Sequence, residues 1–329
     1  MEQRILGKTG RTVSVVGLGT WQLGADWGSV DENEAHAVLE AAVDSGVTFF
    51  DTADVYGDGR SERTIGAFLA ANPGLDITVA TKMGRRLEQA PENYNLGNFR
   101  QWVDRSRRNL GTDCLDLVQL HCPPTAVYSR TEVYDALETL VHEGSIRNYG
   151  VSVERADEAL EAMRRPGTAT VQIILNAFRL KPLDEVLPAA AAAGVGIIAR
   201  VPLASGLLSG KYSTDTVFAE NDHRNYNRSG AAFDVGETFS GVDFEQGLTA
   251  AQEFGQLTSG GAATTAQAAI AWVAAQDGVS TVIPGARSQE QARSNAASGS
   301  MLANIDADFN AGVRSIYGQY FRESVHPRW

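Results

Sequence analysis

Short apolar runs alternate with segments whose apolar positions recur at helical spacing along almost the whole chain. After an opening RILGKTGRTV stretch that reads as a small hairpin, VSVVGLG forms the first strand candidate. A helix over about 31–45 follows, starting at Asp31 with Glu34 three residues on and stopping at Gly46. VTFFD leads to the helix SERTIGAFL, and ITVATK leads to a helix over about 98–110 that ends before Gly111. LDLVQLH precedes TEVYDALETLVHEG, in which Val133, Leu137, Leu140 and Val141 mark one face. NYGVSV precedes a helix near 156–163, TVQIILNAF precedes DEVLPAAAAAG, and VGIIARVPL precedes a long irregular stretch. Helices near 244–257 and 264–276 then lead to the last strand, STVIP. Eight strands separated by helices predict one (β/α)8 TIM barrel, in the α/β class, spanning residues 1–329 as a single domain. The opening hairpin is expected to cap it.

Such a barrel needs roughly 250 residues, and the surplus lies in two places. Residues 203–243, rich in Gly, Ser, Asn and Thr, form a long loop after the seventh strand, the kind of insertion that serves as a lid or binding segment. The tail from Arg314 carries Tyr317, Tyr320, Phe321, His326 and Trp329, an aromatic end expected to pack on the body of the fold. Net charge of −12 argues against nucleic acid or an anionic membrane as a partner, and no apolar run approaches a membrane span. The first residues lack a signal-peptide pattern, so the expected location is cytoplasmic. Cys114 and Cys122 flank or end one strand, too far apart to bridge if it is extended, and are expected as free thiols. The five histidines, His36, His121, His142, His223 and His326, show no ligand spacing, and no metal is expected.

Four residues carry the chemistry. Asp51, Lys82 and His121 end or nearly end three successive strands, and Tyr56 lies on the loop after Asp51. The carboxyl ends of parallel barrel strands meet at one face, so these four converge. A tyrosine hydroxyl is a poor acid at neutral pH unless a cation stabilises its phenolate. Lys82 is that cation, and Asp51 is the partner a buried ammonium requires. His121 can donate a hydrogen bond to a substrate oxygen or share a proton with Tyr56.

The D-x(4)-Y motif followed by K and H on successive strands resembles the aldo-keto reductases, (β/α)8 oxidoreductases that transfer hydride from NADPH to aldehydes and ketones; the similarity runs from about Leu6 to Asn295. It implies that Asp51, Tyr56, Lys82 and His121 are a catalytic tetrad with tyrosine as general acid, acting on a small-molecule carbonyl substrate, and it points to a monomer. Potassium-channel β subunits resemble the same family, so a nicotinamide-binding regulatory subunit or redox sensor with slow turnover is the alternative.

No G-x-G-x-x-G opens a strand–helix unit, and the family instead binds NADP(H) extended across the barrel mouth. In GLGTW, Gly19, Thr20 and Trp21 match positions near the nicotinamide, and Ser152 and Gln172 match positions that bond its carboxamide. Trp21 and Trp27 are read as pocket walls. PLASGLLSGK resembles the pyrophosphate-wrapping segment through Leu203, Ser205, Gly206 and Lys211. IPGARSQEQARSN resembles the adenosine 2′-phosphate and adenine site, with Arg287, Ser288, Gln291 and Asn295 at the start of a short helix. Three departures stand out. Arg200 occupies the place of an aromatic residue that stacks on the nicotinamide, Gly285 replaces a frequent lysine so that preference for NADPH over NADH rests on Arg287, and GVSV replaces GVSN.

Overall fold

The computed structural model describes residues 1–24, 31–220, 222–232, 234–258 and 263–329; Trp27 lies outside them. Its centre is a sheet of eight parallel strands: β3 (Leu18–Gly19), β4 (Phe49–Asp51), β5 (Thr78–Met83), β6 (Leu115–His121), β7 (Ile146–Ser152), β8 (Thr168–Ile174), β9 (Gly196–Arg200) and β10 (Val279–Val282). They neighbour one another in chain order, and the bridges Val16–Val282 and Gly19–Gly285 close the first strand onto the last. The helices between them are α1 (Glu32–Asp44), α2 (Arg60–Ala71), α3 (Leu96–Leu110), α4 (Thr131–His142), α5 (Ala156–Met163) and α6 (Lys181–Ala193). After β9 come α7 (His223–Tyr226), α8 (Phe244–Leu257) and α9 (Thr265–Ala274), and after β10 come α10 (Gln289–Ala297) and α11 (Ala307–Tyr320). This is the (β/α)8 barrel expected from the alternation.

Strand parity sorts the side chains into two cores. Phe49, Ala80, Leu117, Ile198 and Ile283 fill the barrel interior, whereas Phe50, Val118 and Ala199, one residue further on, face the helix layer. The same parity turns Asp51, Lys82, Gln119, His121 and Arg200 inward at the carboxyl end, so the interior changes from apolar to polar there. At the opposite end the hairpin of β1 (Gln3–Ile5) and β2 (Thr12–Ser14) plugs the barrel with Leu6 and Val13. Its Gly7 takes φ +50° and comes so near β9 that a Cβ would lie 2.0 Å from the Gly196 nitrogen. Only glycine fits there.

Helix starts follow their capping residues. Asp31 accepts from the Glu34 amide at 2.8 Å, Asn95 from Asn98 at 3.1 Å, and Ser288 from Gln291 at 3.2 Å. Two segments depart from the sequence reading. The VSVVGLG run serves two sheets, because Val15 donates to the Glu2 carbonyl while Gly17 donates to Val282, so only Leu18–Gly19 remains as the barrel strand. The tail contains a helix the sequence reading omitted, α11, capped by Asp306 and packed on the outer helices through Phe309, 5.7 Å from Phe254. Among the described residues, no helix is long and apolar enough to cross a membrane.

Candidate active site

The barrel mouth brings Asp51, Tyr56, Lys82 and His121 together. Lys82 Nζ pairs with Asp51 Oδ1, donates to the Thr52 carbonyl at 2.9 Å, and lies 3.4 Å from the Tyr56 hydroxyl. The Tyr56 and His121 rings meet edge-on with centroids 5.9 Å apart. Tyr56 is placed by the turn after β4, which is fixed from below by hydroxyls: Thr52 donates to Ser61, and Ser61 donates to Thr20, each at 2.8 Å. Glu62, fully buried, accepts from Thr81 at 2.6 Å and Asn109 at 2.8 Å and so anchors the start of α2. Gly57 presses on the first loop, where a Cβ would lie 1.8 Å from the Gly24 carbonyl oxygen.

Electrostatics assigns protonation states. Burial raises the Tyr56 pKa, Lys82 opposes it and Asp51 adds to it, so the net shift is upward and the tyrosine holds its proton. For Lys82 burial works against the charge, but Asp51 and Tyr56 outweigh it, and the ammonium is retained. His121 lies in a dry site facing Arg85, Lys82 and Arg200; burial and those charges push its pKa well below the ordinary histidine value, which leaves a neutral imidazole. The arrangement is a neutral phenol with a cation beside it and a neutral imidazole across from it. It can deliver one proton to an oxygen at the mouth.

The proposed cofactor residues ring this centre. Trp21 stacks beside Tyr56 with centroids 6.2 Å apart, and Thr20, buried, donates its hydroxyl to the Asp51 carbonyl at 2.8 Å. Ser152 ends β7 and accepts from the Cys122 thiol at 3.4 Å, while Gln172 donates its amide to Asp51 Oδ2 at 2.7 Å. Leu203, Ser205 and Gly206 form a tight turn after β9, with Gly206 at φ +100° against the Tyr212 ring. Lys211 is exposed on the same segment. After the neighbouring strand β10, Gly285 bridges Gly19, Arg287 donates its amide to Gln291 Oε1 at 2.9 Å, and Asn295 donates to the Gly285 carbonyl at 3.0 Å. Arg200 is committed elsewhere: its guanidinium lies 2.9 Å from Glu154 Oε1 and donates to the Val153 carbonyl at 3.2 Å.

Sequence reading missed two groups. Gln119 donates to Asp51 Oδ2 at 3.3 Å, a position its inward strand parity would have revealed. The other is Arg85, Glu154 and Glu237, partly buried beside His121, which pair with the already singled-out Arg200; Glu237 comes from the long loop and carried no pattern. Cys122, Glu154 and Glu237 bring one sulfur and two oxygens within 4.8 Å of one another. The two guanidiniums sit where a cation would, and burial pushes the Cys122 thiol up to about 12, so the set does not have the character of a metal site.

His223 borders the mouth 5.5 Å from the Trp21 ring, and burial lowers its pKa to about 4 while Asp222 works the other way. A folded-state value below the unfolded one gives stability that is present above about pH 6.5 and lost as pH falls toward 4. Wild type should therefore lose stability relative to His223→Gln over that window, by on the order of 2 kcal/mol, in chemical unfolding followed against pH. A constant difference between the two would contradict the burial.

Fold and site together define a class: a (β/α)8 barrel with a buried carboxylate–lysine–tyrosine set and a neutral histidine at its carboxyl mouth. The profile of the Aldo/keto reductase family matches residues 15–317. The chain belongs to that family. It is 30% identical over 313 residues to a probable voltage-gated potassium channel subunit beta of Arabidopsis thaliana, covering 90% of each chain. The glycerol dehydrogenase of Gluconobacter oxydans superposes with a TM-score of 0.80 at 28% identity, over 99% of this chain and 98% of that one. An aldo/keto reductase from Klebsiella pneumoniae, solved in complex with NADP and acetate, shares the fold at 23% identity with a TM-score of 0.72, covering 96% of each.

Proposed function

We propose that this protein is an NADP(H)-dependent reductase of aldehydes or ketones, reversible toward alcohol oxidation, with Tyr56 as general acid. The observation that carries the reading is Lys82, buried and bridging the Asp51 carboxylate to the Tyr56 hydroxyl. That contact has one evident chemical use, stabilising the phenolate left when Tyr56 gives up its proton.

The residues present suit the cofactor. Among the described residues, Gln119 Oε1 and His121 Nδ1 are buried without hydrogen-bond partners, as atoms awaiting a polar ligand would be. Arg287, beside the Ser288-capped start of α10, and Lys211, on the segment after the neighbouring strand β9, suit phosphates, and Gly19, Gly206 and Gly285 allow close backbone approach. When bound, the nicotinamide supplies the hydride for the carbonyl carbon. The chain's own task is the oxygen. Tyr56 donates its proton as negative charge develops there, Lys82 holds the phenolate, Asp51 keeps Lys82 charged, and neutral His121 orients the oxygen without competing for the proton. Gln119 and Gln172 both donate to Asp51 Oδ2 and fix its rotation. In alcohol oxidation the phenolate takes the proton back.

The family resemblance to a potassium-channel β subunit keeps a second reading open, a nicotinamide-binding sensor that turns over slowly. Absorbance of NADPH followed with a panel of aldehydes and ketones separates the two. Turnover on at least one member is expected; tight NADPH binding with no turnover on any of them would favour the sensor.

A further inference from the structure

The long loop brings a carboxylate to the arginines beside His121. Glu237 places Oε1 3.4 Å from Arg85 Nη2 and 3.7 Å from Arg200 Nη1. Behind them Glu154 Oε1 lies 2.9 Å from Arg200 and 3.9 Å from Arg85. Arg85 also donates from Nε to the His121 carbonyl at 3.1 Å, so the guanidinium that receives Glu237 is tied to the tetrad. These side chains retain 11–23% exposure and thus reach the accessible part of the mouth.

The turn that delivers Glu237 is held firmly. Ser205 donates its hydroxyl to the Glu237 carbonyl at 2.9 Å and accepts from the Phe239 amide at 3.0 Å. The Trp329 ring lies against Gly236 and Gly241, where a Cβ would meet it at 2.9 and 2.3 Å, and Arg179 stacks 4.2 Å over the same ring while donating to the Glu154 carbonyl. Burial works against ionising Glu237, but Arg85 and Arg200 outweigh it and hold its pKa down, so the carboxylate is charged. Burial pushes Glu154 up, and the charge of Glu237 adds to the effect. Arg200, 2.9 Å from Glu154 Oε1, works the other way.

The geometry points to Glu237 as a specificity-determining residue: by seating its own carboxylate between Arg85 and Arg200 it closes the site to carbonyl substrates that bear a carboxylate and leaves it to uncharged ones. The inference rests on the reductase reading above. A pair of guanidiniums beside the reacting centre is otherwise a strong receptor for a carboxylate, through charge-assisted and bidentate hydrogen bonds. With Glu237 in place those donors are engaged, and a second carboxylate meets a like charge.

The test compares butanal with 4-oxobutanoate, the same chain with a terminal carboxylate, in wild type, Glu237→Gln and Glu237→Ala. Wild type should favour butanal in kcat/KM, and both variants should lower that preference at least tenfold, through a lower KM for 4-oxobutanoate. An unchanged ratio overturns the inference. Calorimetric titration of the NADPH-bound proteins with butanoate reads the same seat without turnover: the variants should bind it and wild type should not. Glu237→Gln keeps the side-chain volume if Glu237→Ala proves unstable, and Arg85→Gln added to Glu237→Gln should abolish butanoate binding again. Folded variants that fail to bind butanoate, or a double variant that still binds it, refute the assignment. Failure of wild type to reduce any carbonyl would instead strike the reductase reading.

Discussion

Tyr56→Phe should lower kcat for carbonyl reduction by roughly 10²- to 10⁴-fold while leaving NADPH affinity unchanged. The substitution removes one oxygen, which lies 3.4 Å from Lys82 Nζ, and keeps the ring that stacks on Trp21 and meets His121 edge-on. Packing is therefore preserved and proton delivery is lost. The measurement is steady-state reduction of the best substrate in the panel, with NADPH binding followed by fluorescence. A variant with wild-type turnover would remove Tyr56 from the mechanism; one that loses NADPH binding as well would show that the hydroxyl serves the cofactor.

Lys82→Met should be costly in two separable ways. Lys82 and Asp51 are both nearly inaccessible, and removing one partner of a buried pair leaves the other charge uncompensated, at about 3–5 kcal/mol. That is a large part of the stability of an ordinary domain. Adding Asp51→Asn to Lys82→Met removes the stranded carboxylate and should restore most of the loss in denaturant unfolding, since Gln119 and Gln172 can bond an amide in its place. Reductase activity should stay absent in both proteins, because the phenolate has no cation. Recovered activity in the double variant would sink the role given to Lys82, and unrecovered stability would show that the cost lies in packing rather than charge.

The tetrad was legible because each of its strand-borne members ends or nearly ends an apolar run. In VTFFD the residue before Asp51 faces the helices and the one before that fills the barrel, so the period of two by itself turns Asp51 inward. The same counting places Lys82 and His121, and it would have placed Gln119. Gln172 was read as a cofactor contact from resemblance, and here its amide bonds Asp51 across the barrel. That contact depends on how neighbouring strands are staggered, Ser152 opposite Gln172 and Gln172 opposite Ile198, which no single strand's pattern contains. Helix α11 carries its own sequence signal, the Asp306 cap, beside the aromatic residues of the tail.

By itself the sequence determined the barrel, the hairpin plug and the identity of the four polar residues at its mouth, since these follow from local periodicity, capping and the shared direction of parallel strands. Only the tertiary structure decided what Arg200 does and where Glu237 goes. Arg200 stands at an inward strand position, yet its partners are Glu154 from the end of a different strand and Glu237 from a loop with no regular pattern. Charge pairs between segments far apart in sequence form because a buried guanidinium must find a partner in a dry place, and which partner it finds is set by how the loops close over the barrel.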